Sequence, residues 1–174
     1  MRVFIAPVSE PTNGTWHDLS DFTDCEGLEA AARAAMRLTP ENNYGEELDC
    51  SDYKGFGDIF KGFAYISPMD AWVVYEWAQS LPSHIPLAAA LAYVMELGNP
   101  PHDLPRISDL EEYYCGEWDS FLEYAENFLN ECGTLSSIPE EFRRYFDTEA
   151  YARDMKLDYW THEEGSKVYI FRNC

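Results

Sequence analysis

Residues 118–133 read WDSFLEYAENFLNECG, and this stretch carries the clearest structural signal in the chain. Its apolar residues recur at intervals of three and four, the spacing that places side chains on one face of an α-helix. Asp119, Glu123 and Glu126 follow the same spacing on the opposite face. The pattern predicts an amphipathic helix that ends at Gly133, because glycine is favoured just after a helix C-terminus.

The residues on either side of this helix predict short helices and strands. A short helix is expected over residues 139–145, and Asp147 is a favourable N-cap for another. The β-rich runs 157–161 and 167–172 predict two strands that form a hairpin. Before the long helix, residues 111–115 (EEYYC) are predicted to form a strand.

The middle of the chain predicts a helical hairpin. Ser67-Pro68-Met69-Asp70 combines an N-cap, a proline at the first helical position and an acid at the third, so a helix is expected from there to about Leu81. A second helix is predicted from Ser83 to Gly98. Because residues 85–97 are apolar nearly all round, this second helix should be buried on most sides.

The N-terminal part predicts a small sheet with one helix. Residues 2–6 form a β-rich run, and residues 14–19 are its predicted hairpin partner. Asp24 is a suitable N-cap for a helix that Pro40 ends. Residues 47–53 (ELDCSDY) predict a third strand.

These elements together predict an α+β fold, arranged as an elongated chain of three small segments. The segments are an antiparallel sheet with a helix in residues 1–60, a helical middle in 61–105, and helices with a short antiparallel sheet in 106–174. The last boundary follows the stretch GNPPHDLP at 98–105, whose prolines are typical of a linker.

The charge of the chain is its most unusual property. It has 32 acidic and 12 basic residues in 174, a net charge of -20. Such an excess repels itself and destabilises a compact fold, and solubility of a small domain needs a net charge of only about 2 to 8. A solvated acidic surface, a halophilic origin and a basic partner surface, such as a DNA- or RNA-binding groove, all remain open explanations.

The distribution of the acids favours the basic partner. Residues 107–142 hold ten acids and no lysine or arginine, and residues 3–32 hold six acids and no base. A solvated helix usually mixes charge signs, because opposite charges four residues apart stabilise it and like charges do not. The candidate partner-binding acids are Asp18, Asp21, Asp24, Glu26, Glu29, Glu46, Glu47, Asp49, Asp109, Glu111, Glu112, Glu117, Asp119, Glu123, Glu126, Glu131, Glu140 and Glu141.

Their spacing suits an imitation of phosphates. Acids three or four residues apart on a helix have Cβ atoms about 5–6 Å apart, and duplex DNA presents one negative charge per about 1.7 Å of axis. Acids spread over several helices and strands would approach that density. A partner with a basic groove would then bind them as it binds phosphates.

Motifs for catalysis or metal binding are missing. The four histidines are scattered, the cysteines lack zinc spacing, and Asp18, Asp21 and Asp24 are three apart where a calcium loop needs two. We therefore expect no enzyme, no cofactor and no metal. A hydrolase with two hidden carboxylates remains an alternative, because any acidic protein offers such pairs.

The cysteines and the hydropathy indicate the compartment. The odd number of cysteines, five in all, and their wide spacing predict free thiols in a reducing environment. The longest apolar run, 85–95, is shorter than the roughly 20 residues that span a bilayer. No signal peptide is recognisable at the N-terminus. We expect a soluble, cytoplasmic protein with no membrane association.

Three segments of the chain resemble the ArdA family of antirestriction proteins. Gly14-Thr15-Trp16 is similar to an early G-x-W pattern of the family, and residues 46–56 to its E-E-x-x-I-x-D-Y-E stretch. The longest match runs over residues 124–155, where Tyr145-Phe146-Asp147 and Ala150-Tyr151-Ala152-Arg153-Asp154 agree closely and in order. The resemblance extends from about residue 2 to residue 172.

The resemblance implies a specific function. Members of the family are elongated homodimers whose surface acids imitate the phosphates of bent B-form DNA. They occupy the DNA-binding groove of type I restriction-modification enzymes, are carried mainly on mobile elements and phages, and act in the cytoplasm. They need no cofactor, catalyse nothing and bind no nucleic acid themselves. An acidic inhibitor or decoy of another basic DNA-binding protein is the alternative.

Overall fold

The computed structural model describes residues 1–39 and 45–173, whose contacts form two compact units, Met1–Ile107 and Ser108 onward. Each unit combines helices with a three-stranded antiparallel sheet, which confirms the α+β class. The elements are β1 Arg2–Pro7, β2 Thr15–Asp18, α1 Cys25–Ala35, β3 Leu48–Lys54, α2 Pro68–Gln79, α3 Leu87–Leu97, α4 Ile107–Tyr113, β4 Tyr114–Trp118, α5 Phe121–Glu131, α6 Thr134–Ser137, α7 Glu140–Arg143, α8 Thr148–Met155, β5 Tyr159–Glu164 and β6 Lys167–Arg172.

The sheet of the first unit has β1 at its centre, with β2 and β3 antiparallel on either side. Phe4 lies opposite Trp16, so the predicted N-terminal hairpin is confirmed. Val3 and Ile5 are fully buried while Phe4 is only partly buried, because successive side chains of a strand point to opposite faces. The sheet thus has one face on the core and one face towards solvent.

Gly14 lies where the hairpin connection passes closest to β1. A Cβ atom built at this position would lie 2.5 Å from the carbonyl oxygen of Ile5 and 2.6 Å from a ring carbon of Phe4. Neither distance is compatible with a side chain, so the close approach requires glycine here. This is a physical reason for the glycine of Gly14-Thr15-Trp16.

Helices α1 and α2 of the first unit begin where the sequence predicted. The carboxylate of Asp24 accepts the backbone N–H of Gly27 at 2.7 Å and caps α1. Ser67 and Asp70 form a reciprocal capping box at the start of α2. One core joins the sheet to the helices, so the predicted N-terminal and middle segments share it; its fully buried members include Val3, Ile5, Leu19, Leu28, Ala32, Phe56, Ala71, Val74 and Val94.

The second unit is built on a sheet in the order β4-β6-β5. The predicted C-terminal hairpin is present, but its first strand runs over Tyr159–Glu164 where 157–161 was predicted, so Glu163 and Glu164 lie on the strand. Helices α5 and α8 pack together beside this sheet. Asp147 caps α8 as predicted, accepting the backbone N–H of Ala150 at 2.9 Å. The core of this unit contains Phe121, Tyr124, Ala125, Ala152 and Ile170.

The predicted strand at residues 111–115 is wrong. Residues Ile107–Tyr113 form α4, and the strand β4 begins only at Tyr114. Ile107 and the fully buried Leu110 are three residues apart, which is helical spacing. The β propensity of the two tyrosines concealed this weaker signal.

The starts of two helices also differ from the prediction. Helix α3 begins at Leu87 rather than near Ser83. Ile85 precedes Pro86, and the helical conformation is unfavourable for a residue that precedes a proline. Helix α5 begins at Phe121, so Trp118 and Asp119 precede it. Ser120 is the N-cap, and its hydroxyl accepts the backbone N–H of Glu123 at 3.1 Å.

Helix α1 ends at Ala35, and Pro40, which was predicted to end it, lies outside the described residues. The next residues turn away from the helix through Arg37, whose φ is 59°. None of the described helices is both long enough and apolar enough to cross a membrane.

Candidate functional site

All eighteen candidate acids lie at the molecular surface. Thirteen are exposed, and no polar or charged side chain among the described residues is buried. The half-buried candidates are Asp18, Glu29, Glu46, Asp49 and Asp109. The candidates differ in what their carboxylates contact, and this difference separates structural acids from acids that are available to a partner.

Two N-terminal candidates cap helices. Asp18 accepts the backbone N–H of Ser20 at 3.2 Å and the hydroxyl of Ser20 at 2.9 Å, at the start of a 3-10 turn. These hydrogen bonds lower the pKa of Asp18, because they stabilise the charged carboxylate. Asp24 caps α1 in the same way. Both carboxylates therefore stabilise the first unit.

Two further candidates hold connections in the first unit. Glu46 accepts the backbone N–H of Ser9 at 3.0 Å, and this bond lowers the pKa of Glu46. Asp49, on β3, accepts the backbone N–H of Ile66 at 2.9 Å, just before α2 begins. These bonds link residues 37 and 17 positions apart, so sequence patterns could not indicate them.

The acids of α4 are close neighbours on one short helix. Asp109 and Glu112 are three residues apart, which places their Cβ atoms about 5–6 Å apart. Glu111 and Glu112 are exposed, and neither has an ion pair or hydrogen bond to the part of the chain that the structure describes. Asp109 lies in the first turn, where a negative charge is favourable, but Glu111 and Glu112 follow it as like charges without a described base to pair with.

The acids of α5 extend this group. Glu123 accepts the backbone N–H of Asp119 at 2.8 Å, so it also closes the N-terminus of the helix. Glu126 and Glu131 are exposed and make no such bond within residues 1–39 and 45–173. With a rise of about 1.5 Å per residue, the acids from Glu123 to Glu131 span about 12 Å along the helix axis.

The acids of α7 are exposed and unpaired among the described residues because the neighbouring Arg143 donates its hydrogen bonds to backbone carbonyls. Arg143 donates its Nε–H to the carbonyl of Ile138 at 2.9 Å and an Nη2–H to that of Ser136 at 3.2 Å. Its guanidinium therefore holds the preceding turn. Glu140 and Glu141 are exposed and have no ion pair with any described residue.

One base that the sequence pattern missed lies among the acids of the second unit. Lys167 Nζ is 2.7 Å from Asp119 Oδ1 and 3.9 Å from Glu117 Oε1. Residues 107–142 contain no base, but β6 pairs with β4 and brings Lys167 there across 48 positions. The prediction that Asp119 lies on the amphipathic helix with Glu123 is wrong: Asp119 precedes α5 and is paired with Lys167.

The structure adds two acids that the sequence analysis did not select. Glu163 and Glu164 are exposed on β5, an edge strand of the second sheet. Glu164 also hydrogen-bonds Tyr169, and burial, followed by Glu164, raises the pKa of that tyrosine. Both acids lie in the predicted hairpin connection, outside the two base-free runs, and for that reason they were not selected from the sequence. Their negative charge is the signal that could have selected them.

The solvent face of the first sheet has a different character. Trp16 on β2 has the guanidinium carbon of Arg2 at 5.5 Å and the ammonium of Lys54 at 4.7 Å from its ring centroid. These are cation–π distances. The acids of the first unit are therefore interrupted by a cationic and aromatic patch.

The described residues contain no group of three or more histidines, cysteines or acids placed to hold a metal ion. The hydrolase alternative needs two buried acids, and it finds no support where every described acid reaches the surface.

The cysteine prediction is confirmed for Cys25, Cys50, Cys115 and Cys132, which are free thiols. Burial raises the pKa of Cys25 to about 11, and burial also raises the pKa of Cys50. Both thiols therefore stay protonated and unreactive at neutral pH. Cys174 lies outside the described residues.

Comparison with models of protein families gives a match over most of the chain. The family model described as antirestriction protein (ArdA) matches residues 11–168 of the 174, nearly the whole chain. The match includes all three segments on which the resemblance was based. No curated protein matches the chain.

Proposed function

The chain belongs to the ArdA family of antirestriction proteins, and from this premise we propose that it mimics double-stranded B-form DNA. Its acids occupy the DNA-binding groove of a type I restriction-modification enzyme and inhibit cleavage; inhibition of modification is a separate question for the same assay. It acts in the cytoplasm as a homodimer, without a cofactor and without catalysing a reaction.

The observation that supports this proposal most directly is a group of exposed acids without partners in the second unit. They lie on α4, α5 and α7, and no ion pair or hydrogen bond joins their carboxylates to a described residue. Charges that were present only for stability would be paired with bases or, like Asp18 and Asp24, would accept backbone N–H groups. The group comprises Glu111, Glu112, Glu126, Glu131, Glu140 and Glu141, and we call it the unpaired acidic group.

Electrostatics explains how such a group would bind. A basic groove that neutralises phosphates releases condensed counterions, so its affinity for DNA falls steeply with salt. A protein with spaced carboxylates offers the same groove a set of negative charges that does not depend on any base sequence. Each exposed carboxylate contributes little alone, while the summed field governs association and its rate.

A competition titration tests the proposal. A purified type I restriction-modification enzyme is bound to a labelled duplex, and the protein is added at two salt concentrations. Displacement near stoichiometric ratios that weakens steeply with salt is expected. Poly-glutamate of equal total charge serves as the control, and it should displace the duplex only at large excess, because it lacks a fixed spacing.

The same assay separates the alternative. If the protein displaces DNA from an unrelated basic DNA-binding protein but not from the type I enzyme, it is a decoy of a different target. No displacement of either, at low salt and large excess, would contradict both forms of the proposal.

A further inference from the structure

Among the described bases of the second unit, Lys167 is the one that contacts acids of the base-free run 107–142. It lies at the start of β6, and its ammonium contacts Asp119 at 2.7 Å and Glu117 at 3.9 Å. Asp119 in turn donates its backbone N–H to Glu123. One internal cation therefore contacts two acids of the base-free run, at the junction of β4 and α5, and one of them is bonded through its backbone to a third.

The contact is open to exchange. The side chains of Lys167 and Asp119 are 44% and 71% exposed, so solvent and other charged groups reach both. An ion pair at such exposure contributes little to stability. A lysine or arginine from a bound protein would therefore be able to replace Lys167 against the same carboxylates.

Asp119 and Glu117 differ in this respect from the unpaired acidic group. The negative charge of the unpaired acidic group is fully available to a basic partner. The charge of Asp119 and Glu117 is partly neutralised, because Lys167 already lies beside them. The local field there is weakened by one unit of charge. A break in the negative surface thus lies between the acids of α4 and those of α5.

We propose that Lys167 is an internal counter-cation that limits the affinity of this acidic surface, because a partner's basic side chains must displace it from Asp119 and Glu117. The inference rests on the proposed function, since it assumes a basic partner. It deepens that function by assigning an opposing role to one residue.

The test compares Lys167→Gln with Lys156→Gln. Lys156 is a matched control: it lies in the same unit, borders the same depression of about 320 Å³ as Lys167, and has no ion pair with a described residue. Both variants raise the net negative charge by one. Lys167→Arg keeps the charge and should behave as the wild type.

Binding is measured against two partners, a type I restriction-modification enzyme and a short arginine-rich peptide, at low and high salt. Lys167→Gln is expected to bind both about three- to fivefold more tightly than Lys156→Gln at low salt, the range of a surface ion pair. Asp119→Asn should weaken binding more in the Lys167→Gln background than in the wild type, because only there is Asp119 free for the partner.

Equal affinities of Lys167→Gln and Lys156→Gln for both partners would overturn the inference and leave net charge as the explanation. If the wild type fails to displace DNA from the enzyme, the proposed function fails, while the peptide still decides the role of Lys167. Circular dichroism and a thermal melt of each variant exclude a loss of folding as the cause.

Discussion

The two units of the molecule carry the same charge and use it differently. Residues 1–107 and residues 108–174 each contain sixteen acidic and six basic residues. In the first unit, Asp18, Asp24 and Asp49 accept backbone N–H groups and hold helix starts and connections in place. In the second unit, the unpaired acidic group has no such bonds to described residues. Net charge alone therefore does not identify a binding surface.

The difference follows from what a carboxylate can do locally. A helix N-terminus has unsatisfied N–H groups, and an acid before it is stabilising. An acid in the middle or last turn of a helix and far from any base, such as Glu126 or Glu131, has no such role, and an equal charge nearby makes it unfavourable. Glu140 and Glu141 lie in the first turn of α7, where a negative charge is favourable although no described base pairs with them.

Four first-unit candidates accept backbone N–H groups with their carboxylates, while Asp21, Glu26 and Glu47 are exposed and have no such bond to a described residue. We propose that the first unit uses more of its candidate acids to fold, and the second uses more of them to bind.

The largest expected effect tests whether the two units unfold independently of each other. Ile170→Ala removes a fully buried side chain from the second core, and Leu28→Ala does so in the first. Each should cost about 2–5 kcal/mol. Native-state hydrogen exchange should show the loss of protection confined to the unit that carries the change, and a loss spread equally over both units would remove the basis of the comparison.

A smaller effect separates the two uses of acids. Asp24→Ala removes the cap of α1 and should lower the free energy of unfolding by about 1 kcal/mol. Glu126→Ala, in the middle of α5, should leave it unchanged or raise it slightly, because alanine favours a helix and a like charge is removed. Chemical denaturation measures both, and a loss of similar size at Glu126 would show that this acid is structural.

Alkaline pH should disturb both units through buried neutral groups. Burial, and then Glu117 and Tyr169, raise the pKa of Tyr114 to about 12 from its ordinary value of 10. The unfolded chain therefore loses this proton first, so the stabilisation is complete below pH 10 and is lost between pH 10 and about 12. Tyrosinate absorbance and circular dichroism should change together in this window for the second unit.

Tyr114→Phe is the control for that titration. It removes the ionisable group and should shift the alkaline transition of the second unit to higher pH. In the first unit, the raised pKa of Cys25 predicts a corresponding loss between pH 9 and about 11. An alkaline transition that is unchanged in Tyr114→Phe would show that this phenol does not control it.

Much of the fold was accessible from the sequence because its signals are local. The caps Asp24, Ser67 and Asp147 mark helix starts by hydrogen bonds to residues three positions away. The alternation in β1 and the C-terminal hairpin likewise depend on neighbouring residues. The error at residues 111–115 arose where two tyrosines with β propensity follow a short helix whose only strong signal is the spacing of Ile107 and Leu110.

The candidate surface was predictable in composition and not in detail. That the candidate acids would be exposed follows from their charge. Their contacts depend on partners far along the chain: Glu46 on Ser9, Asp49 on Ile66, and Asp119 on Lys167. Only the pairing of strands and the packing of connections bring these groups together. The distribution of charge along the sequence therefore selected the acids but could not separate the structural ones from the unpaired ones.

The measurement that tests the central claim most directly uses two variants of equal charge. One neutralises four unpaired acids of the second unit by Glu111→Gln, Glu112→Gln, Glu126→Gln and Glu131→Gln. The other neutralises four structural acids of the first unit by Asp18→Asn, Asp24→Asn, Glu46→Gln and Asp49→Asn. Both are titrated against a type I restriction-modification enzyme on labelled duplex at several salt concentrations, and both are melted.

We predict that the second-unit variant loses about tenfold or more of its affinity at low salt, with a shallower dependence on salt, and keeps its melting temperature. The first-unit variant should melt at a lower temperature and, while folded, keep most of its affinity. Equal losses of affinity in the two variants would contradict the account, because net charge would then govern binding without regard to which acids carry it.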